Sequence, residues 1–214
     1  MPASKRQPHI ELQGRYFNQR ADMFLRPIPQ SIQERTREIV KMAGVSARSK
    51  VLDVGSGVGV LIGHFLEMGV EEKNIVGCDL SEEMIARARA RFPGVFFWQG
   101  DIVDLPSPLP EQFPGHFKFF DRVFFNACFG NMWDQRLTLE ASFRFLGIGG
   151  QVILSHPLGA PFVEALKQSD PDIVPHSLPD IKSLETWAPE IGYTVHQFVD
   201  RSDFYFVGLE KAYK

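Results

Sequence analysis

The chain has only two cysteines, Cys78 and Cys128, among 214 residues. That is too few for a disulfide framework. Both fall at the ends of expected strands, so reduced thiols in a cytosol-like compartment are the expectation. Long apolar runs are missing as well. None approaches the roughly eighteen residues of a membrane span, and no membrane partner is expected. Residues 1–13 lack the apolar core of a secretory signal. The expected location is the cytoplasm, with an organelle after loss of a transit peptide left open. An excess of basic charge is also missing, since 23 Lys and Arg stand against 26 Asp and Glu. The chain therefore has no global electrostatic footprint for nucleic acid. It has no internal repeat and no low-complexity tract. Its length suits one domain with a substantial core.

What is present is a glycine-rich turn between a strand and a helix. Val51-Leu52-Asp53-Val54-Gly55-Ser56-Gly57-Val58-Gly59 reads as a short apolar strand running into that turn. A second strand, Asn74-Ile75-Val76-Gly77-Cys78, ends in Asp79, twenty residues after Gly59. This is the layout of a nucleotide-binding βαβ unit. The glycines let the backbone turn tightly and approach a ligand, and the acid accepts hydrogen bonds from ribose hydroxyls. The spacing argues against a dinucleotide. The pattern G-x-G-x-x-G needs its third glycine where Val60 stands. Asp53, two residues ahead of the first glycine, would repel a pyrophosphate and suit a cationic ligand.

Three further signals follow in order. Leu80-Ser81-Glu82-Glu83-Met84 is a strand end turning into an N-capped helix. Gln99-Gly100-Asp101-Ile102 follows a third strand. Phe119-Phe120-Asp121-Arg122-Val123-Phe124-Phe125-Asn126 reads as a fourth strand with a polar residue at its carboxyl end. With Asp-x-Gly-x-Gly-x-Gly, these motifs resemble the class I S-adenosylmethionine (SAM)-dependent methyltransferases over about residues 45–156, a resemblance specific for SAM and silent on the acceptor. The resemblance implies SAM as cofactor. Ligands of such sheets bind at the carboxyl ends of the strands. That places Gly55, Ser56 and Gly57 along the methionine moiety and Asp53 on the turn or the ammonium. It places Asp79 on the ribose, with Leu80 against the adenine. By resemblance, Asp101 accepts from the adenine amino group, Ile102 packs on the ring and Asn126 lies near the sulfonium. Tyr16, in Tyr16-Phe17-Asn18-Gln19-Arg20-Ala21, resembles the Tyr-Phe-x-x-x-Ala entry that folds over the cofactor as a lid. An N-terminal helix packed on the sheet is the alternative.

The alternation of elements gives the fold class. Ser31 and Glu34 make a capping box before a helix with Ile32, Thr36, Ile39, Val40 and Ala43 on one face, ended by Gly44. Strands over 50–54, 74–78, 94–98, 119–125 and 151–155 alternate with helices over 58–68, 82–91 and 134–147. Parallel strands with crossover helices follow. The Pro-rich connection 105–114 holds at most a turn of helix. Helices over 161–167 and 181–190 flank a loop at 169–179, and Pro189 should kink or stop the second. Strands over 193–199 and 204–209 are close enough to pair only as an antiparallel hairpin. The expectation is a single α/β domain over 1–214: a doubly wound, seven-stranded, mostly parallel sheet closed by that hairpin. Residues 1–30 form a lid or arm and 31–214 the core.

Methyl transfer from a sulfonium needs binding and orientation more than reactive side chains. A general base is needed only where the acceptor starts protonated. His156, directly after strand five, and His176, in the Pro-rich loop, are the candidate catalytic residues, because neutral imidazoles are natural proton acceptors. No third ligand completes a metal site with them. Cys128 reads as a small buried hydrophobe. Asn126-Ala127-Cys128-Phe129 lacks both prolines of the Asn-Pro-Pro-Tyr/Phe motif of planar-nitrogen methyltransferases. The one basic cluster, Arg87-x-Arg89-x-Arg91, falls on the outer face of a helix. The expected function is methyl transfer from SAM to a small-molecule acceptor by in-line displacement. The alternatives are an RNA or protein methyltransferase, a non-catalytic SAM-binding interaction protein and, against the glycine spacing, a nicotinamide dehydrogenase. The oligomeric state is open.

Overall fold

Apolar residues on successive strand positions point to opposite faces of the sheet. The central strands use both faces, which is why they read as continuous apolar runs. Leu52 and Val54, Val123 and Phe125 face one core layer. Val51, Phe124 and Ile153 face the other. The computed structural model describes residues 5–106, 109, 113 and 118–212. Its strands are β1 (Val51–Val54), β2 (Ile75–Asp79), β3 (Phe96–Gln99), β4 (Phe120–Asn126), β5 (Leu146–His156), β6 (Tyr193–Arg201) and β7 (Phe204–Lys211). They form one sheet in the order β3-β2-β1-β4-β5-β7-β6. Strand β7 runs antiparallel to both β5 and β6, and the other pairs are parallel. The doubly wound α/β sheet with an inserted antiparallel last strand is therefore the fold observed.

The helices are α1 (Arg6–Asn18), α2 (Gln30–Met42), α3 (Val60–Glu67), α4 (Glu82–Arg91), α5 (Gln135–Phe145), α6 (Gly159–Ser169) and α7 (Ile181–Ile191). Among the described residues no helix is long and apolar enough to cross a membrane. The expected cap at Ser81 forms, accepting from the Met84 N–H at 3.1 Å, and Asp134 caps α5 by accepting from the Leu137 N–H at 2.9 Å.

Several boundaries differ from expectation for local reasons. The Ser31–Glu34 capping box does not form. Helix α2 starts two residues earlier, behind Pro29, and Glu34 instead accepts from the Gln30 side chain at 2.8 Å. Helix α7 runs past Pro189 to Ile191. A proline in the last turn removes one helical donor, and Gly192 in left-handed geometry closes the end on the Ala188 carbonyl at 3.0 Å. Strand β5 begins before the Gly149-Gly150 pair, and a register shift between Phe120 and Arg122 absorbs the difference. Residues 6–18, within the expected lid or arm, are helical, as in the alternative given for the Tyr16 segment. Most of the Pro-rich connection 105–114 lies outside the described residues.

Two buried phenols tie helices and loops to the sheet. Tyr205 Oη donates to the Pro179 carbonyl at 2.7 Å, and Tyr193 Oη to the Leu139 carbonyl at 3.1 Å. Neither ring is more than 1% exposed, and burial raises both phenol pKa values. Tyr205→Phe leaves the Pro179 carbonyl without its donor. Urea denaturation should show a loss of about 1–3 kcal/mol, and an unchanged midpoint would show that water replaces the phenol.

Candidate cofactor and acceptor site

The glycine turn is held in shape by the acid of the next strand. Asp79 accepts from the Gly57 N–H through Oδ2 and from the Ser81 N–H through Oδ1, both at 2.9 Å. The Ser56 N–H donates to the Cys78 carbonyl at 3.0 Å. Gly57 has φ +53°, and nothing lies within 4 Å of where a Cβ would stand. The open space in front of it is the cavity. Gly59 is needed for a different reason: a Cβ there would meet the Phe92 ring at 2.7 Å.

A cavity of about 320 Å³ lies at the carboxyl ends of β1, β2 and β4. Its floor is the glycine turn with Asp53 and Asp79. Leu80, Met84, Gly100, Asp101 and Ile102 form one end. Helix α1 roofs it with His9, Ile10, Gln13 and Phe17, continued by Phe24 of the 3₁₀ segment Ala21–Leu25. Asn126, Ala127, Asn131, Met132 and Trp133 close the side beyond β4. Ala127 has φ +57°, the one positive φ of a non-glycine among the described residues. Strain of this kind tends to gather at functional sites. Here the Ala127 N–H is fixed on the Ser155 carbonyl at 2.8 Å, and Ser155 Oγ donates to Asn126 Oδ1 at 3.0 Å.

Asp53 carries the unusual electrostatics. It is 2% exposed, and no donor among the described residues pairs with its carboxyl. Burial, helped by the nearby Asp79 charge, pushes its pKa up to about 8. Burial raises Asp79 as well, against its backbone hydrogen bonds. A buried, unpaired acid facing a cavity is a seat for a cation. This donor set fits SAM, which carries an ammonium and a sulfonium, and it does not fit a pyrophosphate.

Nine of the residues picked from the sequence line this cavity: Asp53, Gly55, Ser56, Gly57 and Asp79 on the floor, Leu80, Asp101 and Ile102 at one end, and Asn126 at the side. Two qualifications follow from their bonding. The Ser56 hydroxyl is buried without a partner, beside Gly77. Asp101 already receives the Arg6 guanidinium at 2.7 Å and the Val103 N–H at 3.0 Å. Three picks are not brought to the cavity. Tyr16 packs on the core beneath the Arg20 guanidinium, 3.6 Å from its ring centre, and its neighbour Phe17 faces the cavity instead. His156 is 6% exposed, accepts from the Leu158 N–H at 3.1 Å and packs on Phe162. Burial lowers its pKa to about 4, so it is neutral at pH 7. His176 Nε2 donates to the Trp133 carbonyl at 3.1 Å and so braces a cavity wall from behind.

The arm supplied what the sequence reading missed. His9 and Gln13 are one helical turn apart and share a face of α1. That face was readable only if residues 6–18 were taken as helix. Both cysteines are free. Cys128 Sγ donates to the Val54 carbonyl at 3.2 Å and burial raises its pKa, but the residue is half-buried and lines the cavity rather than being a fully buried hydrophobe.

Comparison with known proteins agrees with this geometry. Residues 51–150 match the model of a methyltransferase domain. The chain is 26% identical over 185 residues to phosphoethanolamine N-methyltransferase 1 of Arabidopsis thaliana, covering 83% of this chain and 35% of that protein. It is 38% identical over 82 residues to trans-aconitate 2-methyltransferase of Methylobacterium nodulans, covering 36% and 31%. The chain thus spans about a third of the length of these curated relatives. Among solved structures, magnesium protoporphyrin IX methyltransferase of Synechocystis PCC 6803 with bound SAM superposes with a TM-score of 0.67 at 14% identity, over 95% of this chain and 97% of that one. Residues 51–150 are thus a methyltransferase domain, and the chain has the fold of a solved SAM-dependent methyltransferase.

Proposed function

We propose that the chain transfers the methyl group of SAM to a small-molecule acceptor by in-line displacement. The observation that carries this reading is the roofed cavity. Helix α1 and Phe24 cover the strand ends, so the space beside the cofactor cradle suits a small molecule better than a nucleic-acid strand or a folded protein surface. The arginine run on α4 offers no competing basic face. Arg87 pairs with Asp22 and Glu83, Arg89 donates to the Phe97 carbonyl and Arg91 to the Val58 carbonyl. The two relatives compared above are named for small acceptors, phosphoethanolamine and trans-aconitate.

SAM supplies an activated methyl carbon on a good leaving group. The chain's own residues then bind, orient and exclude water. Asp53 would hold the ammonium and Asp79 the ribose hydroxyls. Leu80 and Ile102 would pack on the adenine, and Asp101, already bonded to Arg6 and the Val103 N–H, would accept from its amino group. Asn126, braced by Ser155, would lie near the sulfonium. The α1 roof would hold the acceptor beside the cofactor and exclude water.

The test is direct. Titration calorimetry should show micromolar binding of SAM and S-adenosylhomocysteine and no heat from NAD or NADP. A metabolite library should then contain acceptors that release S-adenosylhomocysteine. Tight SAM binding with no release from any acceptor would favour a non-catalytic SAM-binding protein.

A further inference from the structure

The charges of the cavity are unevenly placed. Among the described residues that line it, the charged side chains are Asp53, Asp79 and Asp101, and no lysine or arginine is present. Asp53 lies in β1, Asp79 ends β2 and Asp101 follows β3, all at the cofactor end. The opposite wall is neutral. It consists of apolar groups such as Ile10, Phe24, Ile32, Met132 and Trp133, interrupted by a few polar ones on and beneath α1.

Those polar groups are built in. Residue His9 is 9% exposed, and its Nε2 lies 2.8 Å from the Asn131 carbonyl. A carbonyl only accepts, so Nε2 carries the proton and Nδ1 holds a free lone pair. Among the described residues Nδ1 has no partner. The ring is held at 5.5 Å from Trp133. Gln13 fixes the same corner, donating to the Ile173 carbonyl at 2.7 Å, and Asn131 Nδ2 donates to that carbonyl at 3.0 Å. The imidazole is therefore locked in one tautomer and one orientation.

We propose that the acceptor is an uncharged molecule with an apolar body and one hydroxyl group, and that His9 Nδ1 takes the hydroxyl proton. This rests on the methyl-transfer reading and narrows it. A phosphate or carboxylate on the acceptor would find no cation in the neutral half, and an unpaired buried anion is heavily penalised. A protonated amine would find no carboxylate there. In the step, the hydroxyl oxygen forms a bond to the methyl carbon while the carbon–sulfur bond breaks with its electron pair on sulfur. The hydroxyl proton moves to Nδ1, so the positive charge lost at sulfur reappears on the imidazole. The Nε2–H stays on the Asn131 carbonyl throughout. His9 is then a catalytic residue in contact with substrate, while Asn131 and Gln13 are positioning residues.

Para-alkylphenols and the same phenols bearing a carboxylate or a phosphate ester are the probes. S-adenosylhomocysteine release should favour the neutral series by about 10²-fold or more. With a neutral phenol, His9→Gln should lower kcat about 10²–10⁴-fold and leave SAM affinity unchanged. Its amide can still donate to the Asn131 carbonyl, so a merely anchoring role would survive the change. Added imidazole should restore part of the turnover of His9→Ala. Equal or faster release from the anionic series overturns the acceptor class, and full turnover by His9→Gln overturns the proton acceptor. Release from a metabolite library but none from the phenols overturns this inference alone. No release from either, with SAM bound, overturns it together with the methyl-transfer reading.

Discussion

Asp79→Ala is expected to lower SAM affinity by about 2–3 kcal/mol, because hydrogen bonds to a charged acceptor are worth about 1.5–3 kcal/mol. The residue has two tasks at once. Its oxygens hold the Gly57 and Ser81 amides, and their remaining lone pairs face the cavity where the ribose would lie. Alanine removes the ribose contact and releases the turn from β2. Asparagine separates the two tasks, since its single carbonyl can hold only part of the pattern. Stability should fall less than affinity, by about 1–2 kcal/mol, because water in the cavity can reach the freed amides. Calorimetric titration beside urea denaturation checks both numbers. A variant that binds SAM as tightly as the parent would remove Asp79 from the site.

Asp53→Asn should separate binding from stability in the opposite sense. In the parent, the folded-state pKa of Asp53 is raised to about 8 from 3.8. The folded protein then holds a proton that the unfolded chain has lost between those values. The contribution of Asp53 to stability is fully present below about pH 4 and is lost as pH rises to about 8. Each unit of that shift corresponds to ~1.4 kcal/mol. Without ligand, the Asp53→Asn variant should therefore lose less stability than the parent between pH 5 and pH 8, read from urea midpoints across that range. Asp79 is raised by burial too, so some slope remains. SAM binding runs the other way. Pairing with an ammonium requires the ionised carboxylate, so at pH 7 the parent releases a proton on binding and its affinity grows towards pH 8. The variant should bind at least about 10-fold more weakly and release no such proton. Titration in two buffers of different ionisation heat reads this directly. Equal heats for the parent in both buffers would place the ammonium elsewhere.

The strand-end lining of the cavity was legible because its residues are local to the strand ends. Asp53, Gly55, Gly57 and Asp79 lie within one βαβ unit, where backbone geometry and sequence spacing are nearly the same information. Asp101 and Asn126 follow from the next strands by the same rule. The side of the cavity formed by α1 was not legible in this way. His156 follows β5 on the correct edge of the sheet, but its first hydrogen bond is to the local Leu158 amide and Phe162 covers its ring. Chain position alone does not reveal that cover. His9 lies 122 residues from the carbonyl that orients it, and the weakly amphipathic, polar look of residues 6–18 hides the helix that brings it there. Its helical state depends on tertiary ties such as Arg6 to Asp101 and Asp104, and Asn18 to Ser81. Propensity does not encode such ties.

The place of β7 sets an order on how the sheet can be completed. Strand β5 carries buried Val152, Ile153 and Leu154, and its outer edge is satisfied only by residues 205–210. Strand β6 precedes β7 in the chain yet reaches the sheet only through it. While a growing chain has emerged only as far as residue 201, β5 is therefore an open apolar edge, the kind of template that recruits other chains. Chaperone engagement and aggregation of nascent fragments should peak in that interval and end abruptly once the final strand slides between its two neighbours.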